Sequence, residues 1–201
     1  DDVVEVLDDE ADEDMKALAG VGDESLADSV METVKSRVPW LVVNLGTAIL
    51  ASFVIQQFDA TIEQMVALAV LMPIVASTGG NAGTQTMTVT VRALATSKLG
   101  SMNARRVITR EALVGLLNGL IMSVILATVV FFWFGSGTLG GVIGAAIIVN
   151  LFCAAVAGIL IPLVFNHFEL DPAPASGVFV TMITDCVGFF AFLGLASIWL
   201  F

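Results

Sequence analysis

The sequence predicts an all-α membrane protein with five transmembrane helices per chain, preceded by an amphipathic cytoplasmic helix. Three observations carry this. Only 13% of the 201 residues are charged and 57% are hydrophobic, whereas a soluble domain carries roughly 25% charged residues. The apolar residues gather into five runs, each reaching the length of about 20 residues that a spanning helix needs. The runs are continuous rather than alternating, which excludes a transmembrane β-barrel.

Charge divides the chain into parts. Residues 1–34 hold 13 of the 19 acids and a single base, Lys16, whereas residues 35–201 hold seven bases and six acids. Residues 1–24 form an acidic cytoplasmic segment centred on Asp8–Asp14. Residues 25–38 read as an amphipathic helix. Ser25 is placed to cap it, with Asp28 three residues on, and Leu26, Val30, Val34 and Val38 make one apolar stripe. Glu24, Asp28 and Glu32 make a second stripe of like charges that repel. Residues 39–201 form the membrane domain, with spans over Pro39–Phe58, Met65–Val91, Ala112–Phe134, Leu139–Phe165 and Ala173–Phe201. The second is interrupted by Pro73 and a Gly/Thr/Asn-rich stretch, which predicts a kink and exposed carbonyls.

Lys and Arg placement orients the chain. Lys16, Lys35 and Arg37 precede the first span, and Arg92, Lys98, Arg105, Arg106 and Arg110 lie between the second and third. The positive-inside rule places the N-terminus and the 92–111 loop in the cytoplasm. An odd number of spans then puts the C-terminus outside, and the loops at 59–64 and 135–138 are also external. With no Met at its start and no signal peptide, the chain reads as a fragment of a longer protein of the plasma membrane. No basic patch is present to neutralise phosphates, so nucleic acid is not an expected partner. Cys153 and Cys186 read as small buried hydrophobes, and no nucleophile–base pair points to an enzyme.

Asp185 is the one ionisable residue inside any span. A charge at mid-bilayer costs roughly 2.5–3.5 kcal/mol on insertion scales, so such residues mark ion paths, watery cavities or partner charges. Thr181, Thr184 and Gly188 surround it. In the second span, Gly79, Gly80, Asn81, Gly83 and Gln85 concentrate residues that permit close helix approach and bonding between helices. Asp28, Glu32, Glu111, Glu169 and Asp171 add oxygen ligands on the cytoplasmic side, of the type that hard cations select. Five unrelated spans enclose no symmetric path alone, and a homodimer with a pore on its twofold axis supplies one.

These residues resemble the MgtE family of magnesium channels. The likeness rests on Pro73 with Gly79-Gly80-Asn81-Ala82-Gly83-Thr84-Gln85, then Arg92-Ala93-Leu94-Ala95-Thr96, and on Asp171-Pro172-Ala173 ahead of Asp185-Cys186-Val187-Gly188. The resemblance implies a homodimeric channel for Mg²⁺, with Mg²⁺ also the regulatory ion and Asp185 the central pore acid. Glu111 and Asp171 match cytoplasmic-side acids that participate in ion binding. Val3–Leu18 resembles the end of a CBS domain and Asp23–Val38 a plug helix, so an N-terminal domain and most of the CBS pair would lie outside this chain. The plug-helix acid falls at Ala27, with Asp28 adjacent. The resemblance implies a pore lined by Gly79, Gly80, Asn81, Gly83, Gln85, Thr181 and Thr184. The same acid would also serve a divalent-cation carrier coupled to Na⁺ or H⁺.

Overall fold

A computed structural model describes residue 16 and residues 28–95, 104–168 and 172–201, with the backbone alone at 95, 104 and 172–175. The described residues are all-α, in six helices: α1 (Val30–Gln56), α2 (Asp59–Gln64), α3 (Ala67–Ala95), α4 (Ala104–Phe134), α5 (Gly137–His167) and α6 (Pro172–Trp199). Among them α1, α4 from Arg105, α5 and α6 from Ser176 are long and apolar enough to cross a membrane. At 29 residues α3 is long enough, but its Ser, Thr, Asn and Gln residues lower its hydropathy.

The helices start and stop for local reasons. Ser29 caps α1 through a capping box: its hydroxyl accepts from the Glu32 amide, and Glu32 Oε2 accepts from the Ser29 amide at 3.0 Å and from its hydroxyl at 2.6 Å. The N-cap is thus Ser29 rather than Ser25, which lies outside the described residues with Glu24 and the acidic segment. Asp28 precedes the helix instead of lying within it. The amphipathic stretch and the first span are one continuous helix through Pro39. Gly135, at φ 67°, and the Ser136 cap turn the chain from α4 into α5; the left-handed conformation is one that glycine adopts without a Cβ penalty.

Three expected boundaries shift. The 59–64 segment, expected as a loop, is helical, as α2. Arg105, Arg106 and Arg110 lie in the first turns of α4 and Arg92 in the last turn of α3, so the expected basic loop is largely helix. The glycine-rich stretch of α3 also stays helical, without the expected opening of its carbonyls. Thr78 and Thr84 donate to the carbonyls of Ile74 and Gly80 at 2.6 and 2.9 Å, and the glycines accommodate neighbouring helices.

The core sits where α3, α5 and α6 meet. Each contributes a buried row at a spacing of four: Leu71, Val75, Gly79, Gly83, Met87 and Val91 on α3; Val142, Ala146, Asn150, Ala154, Gly158 and Pro162 on α5; and Ser176, Val180, Thr184, Gly188, Phe192 and Ala196 on α6. Rows four apart are the ridges by which helices most often interlock. A Cβ on Gly83 would come 2.5 Å from Val180 Cγ1, and one on Gly158 would come 2.8 Å from the Gly83 carbonyl. The opposite side of α5 holds α4 along a seam of small residues. A Cβ on Gly119 would come 3.0 Å from Ile148 Cα, and one on Gly144 2.6 Å from Ser123 Oγ. Small residues let helix backbones approach where lipid supplies no hydrophobic drive for association. By contrast, α1 rests chiefly on α6 and buries only Ala51.

Candidate functional site: an intramembrane carboxylate beside a polar helix face

Asp185 lies on α6 between Thr184, which is buried, and Cys186. Its side chain is half-buried, at the edge of the row that packs on α3 and α5. Among the described residues no hydrogen bond or ion pair reaches it, and no intramembrane base is present in the sequence to neutralise it. The carboxylate is therefore free to meet an ion or water. A largely apolar groove between α1 and α6 is lined by Leu50, Phe53, Gln57, Met182, Ile183 and Cys186, and Asp185 is the charged residue of this turn, beside Thr184.

Packing fixes which part of α3 stands at this level. Gly83 faces Val180 and Thr184, whereas Gly188 shares Asn150 with Gly79. The two helices are therefore antiparallel, and Asp185 lies at the height of α3 residues 79–83. There α3 has two faces. Gly79 and Gly83 are on the buried face, against α5 and α6. Ser77, Asn81, Thr84, Gln85 and Thr88 are exposed on the other, and a Cβ on Gly80 would meet nothing within 4 Å. Asn81 Nδ2 donates to Ser77 Oγ at 3.4 Å.

The expected site residues thus separate. Gly80, Asn81 and Gln85 stand on the open face of α3. Gly79, Gly83 and Thr184 pack inside the protomer, and Thr184 donates to the Thr181 carbonyl at 3.0 Å. Thr181 is half-buried and donates to the Gly177 carbonyl. Glu111 borders a cleft of about 260 Å³ between α3 and α4, with Gln85, Thr86, Arg110 and Asn118. Its carboxylate, only 16% exposed, pairs with Arg110 Nη1 at 2.8 Å. Asp171 and Glu169 lie outside the described residues. Among the described residues no three His, Cys, Asp or Glu side chains gather into a metal-binding group, so Asp28, Glu111 and Asp185 do not form one.

One buried polar residue escaped the sequence analysis. Asn150, on α5, is 0% exposed. Its Nδ2 donates to the Val75 carbonyl at 2.9 Å, and its Oδ1 has no partner. The available signal was its isolation: it is the only Asn, Gln or charged residue between Leu139 and Phe165.

A bundle of long apolar helices that retains an unneutralised carboxylate level with an exposed amide face is the kind of arrangement that membrane transport proteins use. A model of the MgtE divalent cation transporters matches residues 72–195, and the chain belongs to that family. It is 34% identical over 200 residues, all of the chain, to a protein of Enterococcus faecalis named magnesium transporter MgtE. Proteins of the same name from Thermus thermophilus and Bacillus subtilis are 36% and 31% identical, each over 98% of the chain. The chain spans 44% of the length of each of these relatives.

Proposed function

We propose that two copies of the chain form a Mg²⁺-conducting channel across the plasma membrane, with Asp185 of each copy flanking the ion path. The carrying observation is the unneutralised Asp185 carboxylate level with the open Ser77–Asn81–Thr84 face of α3. Neither feature suits lipid, and a shared water-filled path suits both. The names of the relatives supply the cargo. In this reading α3, about 43 Å long at 1.5 Å per residue, is the fifth crossing helix. The N-terminus and the arginines at the ends of α3 and α4 face the cytoplasm, and the C-terminus is external.

Mg²⁺ gives up its waters reluctantly and demands octahedral geometry. Two carboxylates across a twofold axis hold such an ion through its waters, and Asn81 and Thr84 contribute further outer-shell partners. The site must bind firmly enough to admit the ion and weakly enough to release it. Cytoplasmic Mg²⁺ regulates the path by bridging acids around the start of α1 and the cytoplasmic ends of α4 and α6, namely Asp28, Glu111 and Asp171. Without cations these acids repel one another and favour opening.

The test is Mg²⁺ flux into liposomes by the full-length protein. Asp185→Ala, at equal incorporation, reduces uptake to near background, and flux in the parent protein persists without a Na⁺ or pH gradient. Undiminished uptake by Asp185→Ala overturns the pore assignment, and strict dependence on either gradient replaces the channel with a coupled carrier.

A further inference from the structure

We propose that Asn150 is a positioning residue for cation binding, whose carboxamide sets the spacing between the α3 segment bearing Asn81 and the α6 turn bearing Asp185. This rests on the reading of Asp185 as the cation site. Asn150 touches neither the proposed path nor an ion; it acts through the two helices that line it.

The geometry is that of a wedge between two glycines. A Cβ on Gly188 would come 2.6 Å from Asn150 Nδ2 and 3.0 Å from its Cγ. A Cβ on Gly79 would come 2.7 Å from Cγ and 2.9 Å from Oδ1 and would overlap Nδ2. The carboxamide thus fills the space that side chains at both positions would need. Gly188 is three residues beyond Asp185, less than one helical turn, and Gly79 is two residues before Asn81. Any change in the volume between the glycines therefore moves the segments carrying the carboxylate and the amide face relative to each other.

The hydrogen bond adds register to spacing. Nδ2 donates at 2.9 Å to the Val75 carbonyl, one turn before Gly79. A carbonyl has two lone pairs and accepts a side-chain donor beside its helical partner. The bond ties α5 to α3 two residues after Pro73, where the missing N–H has removed one bond from the helical ladder. An apolar side chain of similar volume fills the slot without this tie. The unpartnered Oδ1 argues in the same direction. A buried acceptor without a bond is unfavourable in an apolar core, and volume alone is supplied by leucine.

The experiment is Mg²⁺ flux by the full-length transporter over a range of Mg²⁺ concentrations, with monodispersity followed by size-exclusion chromatography. Asn150→Leu keeps the branched shape, with a somewhat larger volume, and removes the donor. It is expected to raise the half-saturating Mg²⁺ concentration roughly tenfold or more, since displacing a reacting or binding group by about an ångström is enough to lose up to two orders of magnitude. Gly188→Ala is expected to impair flux through its contact with Nδ2, and Asn150→Ala in that background to recover part of it by vacating the slot. Should Asn150→Leu fail to assemble, the Gly188→Ala and Asn150→Ala pair decides alone. Unchanged half-saturation in Asn150→Leu, or no recovery in the double variant, overturns the positioning role. Asp185→Asn, measured in parallel, separates the two ideas: wild-type transport by that variant refutes the cation site itself, whereas loss there with an indifferent Asn150 refutes only the positioning.

Discussion

Two adjacent glycines on α3 should respond oppositely to the same methyl group. At Gly79 a Cβ meets the Asn150 carboxamide, 2.7 Å from Cγ and 2.9 Å from Oδ1. The amide is confined by Gly188 on its far side and bonded to Val75, so it yields only by moving α5 or by breaking that bond. The first is overpacking, which typically costs 1–3 kcal/mol; the second leaves a buried donor unmet, at about 1–3 kcal/mol. Replacing a helical glycine by alanine returns about 1 kcal/mol of helix propensity. Gly79→Ala should therefore destabilise the domain by up to about 2 kcal/mol net. At Gly80 the Cβ meets nothing within 4 Å, only the propensity gain remains, and Gly80→Ala should be neutral or stabilising. Thermal unfolding in detergent, followed by size-exclusion chromatography, reads the difference. About 1 kcal/mol shifts the midpoint by roughly 2–4 °C in a two-state chain of this size, so the Gly79→Ala midpoint should fall, by up to roughly 8 °C, while that of Gly80→Ala does not. Equal midpoints, or the reverse order, would refute the division of α3 into a packed and an open face.

Other outcomes follow from the ends of the helices. Neutralising Asp28, Glu111 and Asp171 together should weaken inhibition of flux by internal Mg²⁺, and an unchanged dose response in patch recordings counts against the acids as the regulatory site. Glu32, on the exposed first turn of α1 ahead of the apolar stretch, has its carboxyl held below the ordinary carboxylate range by the Ser29 hydroxyl and amide, against weaker repulsion from Asp28. A lowered folded-state value means that this cap contributes above the ordinary range and is lost as pH falls through the lowered value. Amide-exchange protection at Glu32 should accordingly drop on acidification, and Glu32→Gln should remove that pH dependence.

The membrane class and Asp185 were legible because both depend on composition along the chain. Four apolar runs are helices that meet the length and hydropathy of a span, and the lone acid stands out against them. The packed and open faces of α3 were not legible from local pattern alone. Gly79, Gly80 and Gly83 look alike in sequence; only the approach of Asn150, Val180 and Ala154 tells them apart. Asn150 itself was overlooked because its partners are a carbonyl 75 residues away and two glycines on separate helices. Pro39 suggested a helix boundary because proline removes an internal bond. The structure carries α1 through it, and the Lys35 carbonyl that loses its N–H partner belongs to an exposed residue near the helix start.

The placement of α1 bears on how the domain is assembled. Its main support is α6, so α1 depends on a helix made after α3, α4 and α5. During synthesis α1, α3, α4 and α5 are all made before the α6 surface on which α1 docks exists. Contacts between α1 and α6 form late because they close a longer loop than those among α3, α4 and α5. Closure of α6 onto α3 and α5 is thus also the step that seats α1, and it brings Asp185 to its level on α3. A chain interrupted before α6 would hold a paired α4 and α5 but neither a seated α1 nor Asp185.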